Sequence, residues 1–363
     1  MYDCIIVGGG LIGLLTARQL ASAGLSVLVL DRAGLGGESS WAGGGILSPL
    51  YPWRYPRSVS LLARVSQQHY PALARVLAEE SGVDPEWIPS GLLVLDTDEQ
   101  QQAVEWSRQF SARLDCLAGR QGILALEPGL GKAADAALWM PGIAQIRNPR
   151  LMKAMTGSLG QHCIDVAENE PVEAIEYDNG RVIGVKTARR RIPTDRVVVT
   201  AGAWSTELLK ATGIELDVQP VRGQMLVFKA RPGVVKHIVL SEGYYLIPRQ
   251  DGRVLIGSTL EYVGFDKSTT DEARHLLYSK AIELVPGLSD FEVERHWSGL
   301  RPGTIKGIPY IGRHPGIENL YFNAGHFRNG VVLGLASARL MADIMVGNAP
   351  EIDPSPYALD AEH

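Results

Sequence analysis

Residues 2–31 read YDCIIVGGGLIGLLTARQLASAGLSVLVLD, and this stretch decides the fold. Residues 2–7 are short, apolar and partly β-branched, which reads as a buried strand. Gly8-Gly9-Gly10 ends it. Residues 11–23 are rich in Ala and Leu and lack proline, so they read as a helix closed by Gly24. Residues 26–30 give a second strand ending at Asp31. The result is a βαβ unit carrying Gly8-x-Gly10-x-x-Gly13, with Asp31 eighteen residues beyond Gly13. Gly8 permits the tight turn out of the strand, Gly10 lets the backbone approach a pyrophosphate, and Gly13 allows close helix–strand packing. The N–H groups around Leu11, Ile12 and Gly13, at the positive end of the helix dipole, favour a phosphate. Asp31, with Arg32 beside it, is placed to accept from a ribose hydroxyl. A tight turn without a ligand would leave three glycines and the acid unexplained.

The fingerprint alone does not separate NAD from FAD. The next segment helps. Residues 33–56 hold six glycines and three prolines and read as loop, including Ser39-Ser40-Trp41-Ala42-Gly43-Gly44-Gly45. An NAD domain would continue its βα alternation here. A small-residue loop instead offers bare backbone to a flat ring system, and the hydroxyls of Ser39 and Ser40 can reach phosphate. A third glycine-rich junction, Gly325-His326-Phe327-Arg328-Asn329-Gly330, again joins a strand to a helix. A helix N-terminus aimed at a flavin would stabilise negative charge on the ring. In Gly299-Leu300-Arg301-Pro302 the proline holds Arg301 extended, and a guanidinium binds a carboxylate with two parallel hydrogen bonds. Taken alone, either Arg301 or Arg328 is more often a surface or ion-pair residue.

Farther along, residues 58–81 read as helix, with strands at 91–95 and near 143–147. Residues 163–200 alternate short apolar runs with turns such as Asp178-Asn179-Gly180, a hairpin signal. Residues 196–202 run from a buried strand into a glycine turn at Gly202. The segment 223–260 is again β-rich, with a turn at Gln250-Asp251-Gly252. Residues 270–284 read as helix, 302–312 as loop, 320–324 as strand and 329–346 as a closing helix. The expectation is an α/β nucleotide-binding domain interrupted by β-rich insertions, with no internal repeat.

Composition narrows the class. With 363 residues, 45% of them hydrophobic and 21% charged, the chain can bury a sizeable core. A net charge of −5 without a basic block gives no support to a nucleic-acid partner. Cys4, Cys116 and Cys163 have neither metal nor disulfide spacing, so a reducing, cytoplasmic setting is expected and Cys4 reads as a packed core thiol. The histidines outside His326 lack ligand spacing, and no metal site is expected. Residues 4–17 mimic a signal core, but Asp3 precedes them and glycines interrupt them. No run of 18 apolar residues occurs, so no membrane association is expected.

The combination of IIVGGGLIGL at 5–14, SSWAGGGIL at 39–47, TAGAWS at 200–205, GLRPGTIKGIPYIGR at 299–313 and GHFRNGVVLGLASA at 325–338 resembles the D-amino-acid oxidase superfamily of FAD enzymes, over essentially the whole chain. Within it the chain most resembles the bacterial glycine oxidases, with D-amino-acid oxidases and dehydrogenases and sarcosine oxidase as neighbours. The resemblance implies a Rossmann-like FAD-binding domain over 1–84, 146–216 and 300–363. An antiparallel-β-rich substrate domain would be inserted over 85–145 and 217–299. It implies non-covalent FAD, a small amino-acid substrate, oxygen as acceptor with hydrogen peroxide as product, and a homotetramer. It also implies a supply of glycine imine to thiamine thiazole synthesis. Arg301 and Tyr245 match residues that hold the substrate carboxylate, and Arg328 a further arginine nearby. Val172 matches the residue whose backbone holds the adenine, and Leu260 falls where the pocket is lined by an apolar side chain. The loop 49–57 reads either as an active-site lid or as plain surface. A nicotinamide-dependent reductase would need a second glycine fingerprint, and none is found.

Overall fold

The computed structural model describes residues 1–131, 134–361 and 363. In chain order the first elements are β1 (Cys4–Val7), α1 (Leu11–Ser22), β2 (Val27–Leu30), α2 (Ser39–Ala42), α3 (Arg57–Ser81), β3 (Leu92–Val94), α4 (Gln100–Gln109) and β4 (Asp115–Ala118). There follow α5 (Arg120–Leu126), β5 (Ala136–Met140), α6 (Asn148–Ser158), β6 (Ile164–Ala167), β7 (Val172–Asp178), β8 (Arg181–Thr187), β9 (Arg191–Pro193) and β10 (Val197–Val199). The last group is α7 (Ser205–Lys210), β11 (Gln219–Phe228), β12 (Ile238–Ser241), β13 (Tyr244–Pro248), β14 (Val254–Gly257), α8 (Asp271–Leu284), β15 (Val293–Gly303), β16 (Tyr310–Arg313), β17 (Leu320–Ala324) and α9 (Gly330–Val346).

One six-stranded sheet has the order β16-β17-β10-β1-β2-β6. Its inner strands are parallel and β16 is antiparallel at one edge. Parallel strands covered on both faces need no polar alternation, which is why CIIV, VLVL and VVV are apolar throughout and fully buried. Cys4 and Ile6 point into a core shared with α1, α3, α6 and α9. Ile5 and Val7 point the other way, against Ile175, Val182, Val185 and Ile192 of the three-stranded sheet β7-β8-β9. From β1 the chain steps to β2 on one side and later to β10 on the other. The carboxyl end of β1 is therefore a switch point, where such sheets open a crevice for a ligand.

The second sheet has eight strands, β15-β11-β14-β13-β12-β3-β5-β4, antiparallel apart from the β12–β3 pair. Helix α8 packs on one face through Leu277, Ala281 and Leu284. The other face carries Met225, Tyr245, Ile247 and Leu255. The Asn179-Gly180 turn joins β7 to β8 with both residues at positive φ, 46° and 75°, the pairing that matches strand twist. Between β13 and β14, Gly252 supplies φ 88°.

Three local expectations need correction. No strand forms near 143–147. There Gln145 makes only isolated bridges to Ile46 and Ile88, because this segment crosses the seam between the two sheets, and the strand lies earlier, at β5. Residues 302–312 are not all loop: β15 runs through Pro302 to Gly303, and β16 begins at Tyr310. Pro302 is tolerated because β15 is an edge strand, where a missing N–H breaks no ladder. Within 33–56, Ser39–Ala42 form one helical turn. Strand β15 also crosses the domain boundary expected at 299–300. Residues 327–346 are long and apolar enough to cross a membrane, with mean hydropathy 1.4, but 67% of that window is buried. Val332, Leu333, Ala336 and Leu340 lie in the core with α1 and α3, so the helix reads as a core element.

Gly13 shows how tightly α1 sits on the sheet. A Cβ there would run into the Gly8 carbonyl and lie 2.7 Å from Thr200 Oγ1. Overpacking at such a contact costs about 1–3 kcal/mol. Gly13→Ala is expected to lower stability in that range, read by denaturant unfolding; an unchanged midpoint would contradict the packing described.

Candidate active site

The crevice at the end of β1 is a cavity of about 450 Å³ that extends to the face of the eight-stranded sheet. That size suits a small-molecule site. Gly8, Gly10, Leu11 and Ile12 from the first junction line it, with Gly43, Gly44 and Gly45, Gly202, and Gly325, His326, Arg328 and Gly330. The three glycine-rich junctions, scattered over more than 300 residues of sequence, thus meet on one space.

Its first end is built for an anion and a ribose. Helix α1 has no side-chain hydrogen bond at its N-cap, Gly10, and no acid in its first turn. Leu11 N–H donates to Ser40 Oγ at 2.9 Å, which ties the serine loop to the helix start. Ser39 lines the same wall. Asp31 accepts from the N–H groups of Gly9 (2.7 Å) and Ala33 (2.8 Å). Its burial holds the carboxyl above the usual carboxylate range, and those two N–H groups oppose the shift. Arg32 lies over the Trp204 ring, 3.5 Å from its centroid, and Val172 lines the wall at the start of β7. The N-terminus of α9 likewise has no acid in its first turn. Two positive helix ends with little compensating charge suit a pyrophosphate and an electron-rich ring.

The second end is cationic. Tyr245 on β13 and Arg301 on β15 face the cavity together with Ser258. Arg301 Nη2 donates to Ser258 Oγ at 2.7 Å and Nη1 to the Thr259 carbonyl at 3.1 Å. No carboxylate bonds to it among the described residues. Burial holds its guanidinium below the ordinary arginine range; the nearby Arg328 pushes the same way and Tyr245 opposes. Arg328 also lines the cavity. Two cations with no bonded anion among the described residues favour a ligand that brings a carboxylate. His326 is buried, its Nε2 lies 3.0 Å from Ser337 Oγ, and burial pushes its pKa down to about 3, so it is neutral near pH 7.

Glycine positions hold these side chains. A Cβ at Gly223 would run into the Arg301 guanidinium, which therefore lies across bare backbone of β11. A Cβ at Gly257 would come within 2.8 Å of the Tyr245 hydroxyl, and one at Gly44 within 3.2 Å of the Tyr245 ring. The sequence reading missed Gly223, Gly257 and Ser258. Only the register of β11, β13, β14 and β15 brings them to the site, although paired glycines inside strands are a local sign of close approach.

Some expected residues lie elsewhere. Leu260 does not line the cavity and is 46% exposed. Ser258 takes the inward position, Thr259 turns its hydroxyl to the Gln224 N–H at 2.8 Å, and Leu260 follows on the outer surface. Gly13 sits beneath the turn and Asn329 is buried behind the α9 start, so neither lines the cavity. In the segment 49–57, Leu50 lines the cavity. Tyr51 donates to Asp96 at 2.5 Å and Trp53 to Glu99 at 2.6 Å, which fastens this segment to the eight-stranded-sheet side.

Residues 3–344 match the family of FAD dependent oxidoreductases known as DAO, and the chain belongs to that family. More particularly, it is 50% identical to the glycine oxidase of Pseudomonas aeruginosa, over 98% of this chain and 97% of the relative. The crystal structure of glycine oxidase from Geobacillus kaustophilus superposes with a TM-score of 0.94 at 29% identity, covering 100% of this chain and 99% of the other. The chain is also 31% identical to the bifunctional protein ThiO/ThiG of Synechocystis, over 95% of this chain and 51% of that longer protein.

The geometry around Arg301 yields a direct test. Gly223→Ala is expected to displace the guanidinium and weaken acetate binding at least about tenfold, the loss of one charge-assisted hydrogen bond, while bound FAD is retained. Acetate titration of the flavin spectrum checks this. Unchanged acetate affinity would show that Arg301 does not depend on the bare backbone at 223.

Proposed function

We propose that this chain is a glycine oxidase. It converts glycine, and other small amines such as sarcosine and small D-amino acids, to the imine and then the 2-oxo acid and ammonia, reducing oxygen to hydrogen peroxide. The observation that carries the reading is the Arg301 guanidinium, which bonds to no carboxylate among the described residues and shares one cavity with Tyr245 and the fingerprint glycines. The high identity to glycine oxidase across the whole chain supports the choice of substrate. FAD, when bound along the cavity, supplies the two-electron acceptor for the amine carbon and returns those electrons to oxygen.

The chain's own residues would bind and orient. Gly8, Gly10, Leu11 and Ile12 would hold the pyrophosphate, Asp31 the ribose and Val172 the adenine edge. Gly43, Gly44 and Gly45 would lie against the ring. Arg301 would take the substrate carboxylate, Tyr245 would donate its hydroxyl to the same group, and Arg328 would add positive charge beside it. With the carboxylate fixed there, these residues would orient the α-carbon toward the cofactor. Such positioning lowers a barrier without a proton-transferring side chain. Neutral His326, bonded to Ser337, is not needed as a base. The product imine is chemically suited to thiazole assembly, and the likeness to a bifunctional ThiO/ThiG protein supports a place in thiamine synthesis.

Anaerobic mixing of the holoenzyme with glycine, sarcosine, D-alanine and methylamine tests this. Glycine is expected to bleach the flavin, with peroxide appearing when air returns. Methylamine, which lacks the carboxylate, is expected to react at least about a hundredfold more slowly, the loss of a bidentate charge-assisted pair. No bleaching by any carboxylate-bearing amine, or equal rates with methylamine, would overturn the reading.

A further inference from the structure

Arg249 follows directly on β13, the strand that carries Tyr245 four positions before it, yet it does not line the cavity. It is 5% exposed and bonds to no carboxylate among the described residues. Its Nη2 donates to the Gly44 carbonyl at 2.7 Å, and its Nη1 to Gln145 Oε1 at 2.6 Å and the Ile146 carbonyl at 3.3 Å. Gln145 is itself fixed, donating to Ser90 Oγ at 2.6 Å and to the Pro248 carbonyl at 2.8 Å. Burial holds Arg249 below the ordinary arginine range, down to about 10, so it stays charged at neutral pH. A buried cation with only neutral acceptors is costly, and its position at the seam asks for a reason.

A trans peptide is planar, with its C=O and N–H on opposite sides. Turning the Gly44 carbonyl back to Arg249 therefore turns the Gly45 N–H forward. Both glycines line the cavity. The Gly45 N–H donates to no protein acceptor among the described residues, and its carbonyl is already taken by the Ile146 N–H at 2.8 Å. Gly45 stands at φ +79°, and an added Cβ would strike the Ile146 carbonyl, so no other residue gives the peptide this orientation without strain.

We infer that Arg249 is a positioning residue for the cofactor: it locks the Gly44–Gly45 peptide plane so that the Gly45 N–H faces the cavity and donates to the polar edge of the flavin ring. The same guanidinium joins the loop carrying that donor to the strand carrying Tyr245, so ring and substrate carboxylate are set from one fixed point. This inference rests on the reading that the ring lies against 43–45, and it does not depend on which amine is oxidised.

The test uses the holoenzyme without any amine. Release of FAD is followed by the rise of free-flavin fluorescence on dilution, and the visible bands of the bound flavin are recorded. Arg249→Met fills the site without its hydrogen bonds. It is expected to release FAD about tenfold faster, as for a lost charge-assisted bond, and to shift the bands of the flavin still bound. Arg249→Lys, which keeps a donor and the charge, is expected to recover both in part. A general loosening of the fold would speed release in both variants and leave the bands unmoved, which would overturn the inference; so would wild-type release and bands in Arg249→Met. Should Arg249→Met not fold, Gln145→Leu removes the acceptor that orients the guanidinium. The same band shift is expected there, and unshifted bands would overturn the inference. Failure of glycine to bleach the wild-type flavin would remove the substrate reading and leave these readouts standing.

Discussion

A guanidinium enclosed without a carboxylate is the constraint on which the rest of the site depends. Among the described residues Arg301, with Tyr245 beside it, donates to a serine hydroxyl and a backbone carbonyl. Neither neutralises it, and a second cation, Arg328, raises the cost. Isolated, such a group is destabilising. It becomes favourable when a ligand brings a negative charge, which turns that local cost into affinity for an anion. The surrounding chain is arranged to permit this. Bare backbone at Gly223 gives the guanidinium room, and Gly257 and Gly44 flank the Tyr245 ring.

These side chains stand on the eight-stranded sheet, whereas the pyrophosphate-type turn stands on the six-stranded one. The two must keep a fixed relation for a carbon held at Arg301 to meet a ring held by the other sheet. The seam is fastened by buried polar contacts rather than by continuous strand pairing. Arg249 reaches the Gly44 carbonyl, and Trp297 on β15 donates to the Ala42 carbonyl at 3.0 Å. Both end on the same small-residue loop. That loop is short of side chains because its carbonyls serve one neighbour and its open face another.

The parts legible in sequence are those encoded locally. Glycine spacing, an acid after the second strand and apolar runs of strand length were enough to place β1, α1, β2 and the cavity they open. The Asn179-Gly180 and Gly252 turns announced their hairpins through residues that accept positive φ. What failed depends on partners far along the chain. Residues 143–147 have the apolar character of a strand, but Gln145 pairs there only through isolated bridges to Ile46 and Ile88. The resemblance put Leu260 in the pocket, yet Ser258 lines the cavity and Leu260 lies on the outer surface. Arg249 carries no local signal of its role, and Gly223 signals a close approach without showing what approaches. Their meaning comes from the register of β11 on β15 and from the reach of a long side chain across a seam.

The most direct measurement is a titration of the FAD-loaded protein with glycolate, which keeps the carboxylate and replaces the amine by a hydroxyl. The flavin spectrum reports binding in the wild type and in Arg301→Leu. A saturable spectral change is expected in the wild type, weakened at least about a hundredfold in the variant, as when both bonds of a charge-assisted pair are lost. Equal glycolate affinity in the two proteins would contradict it, because the uncompensated guanidinium would then not be the group that receives the ligand's charge.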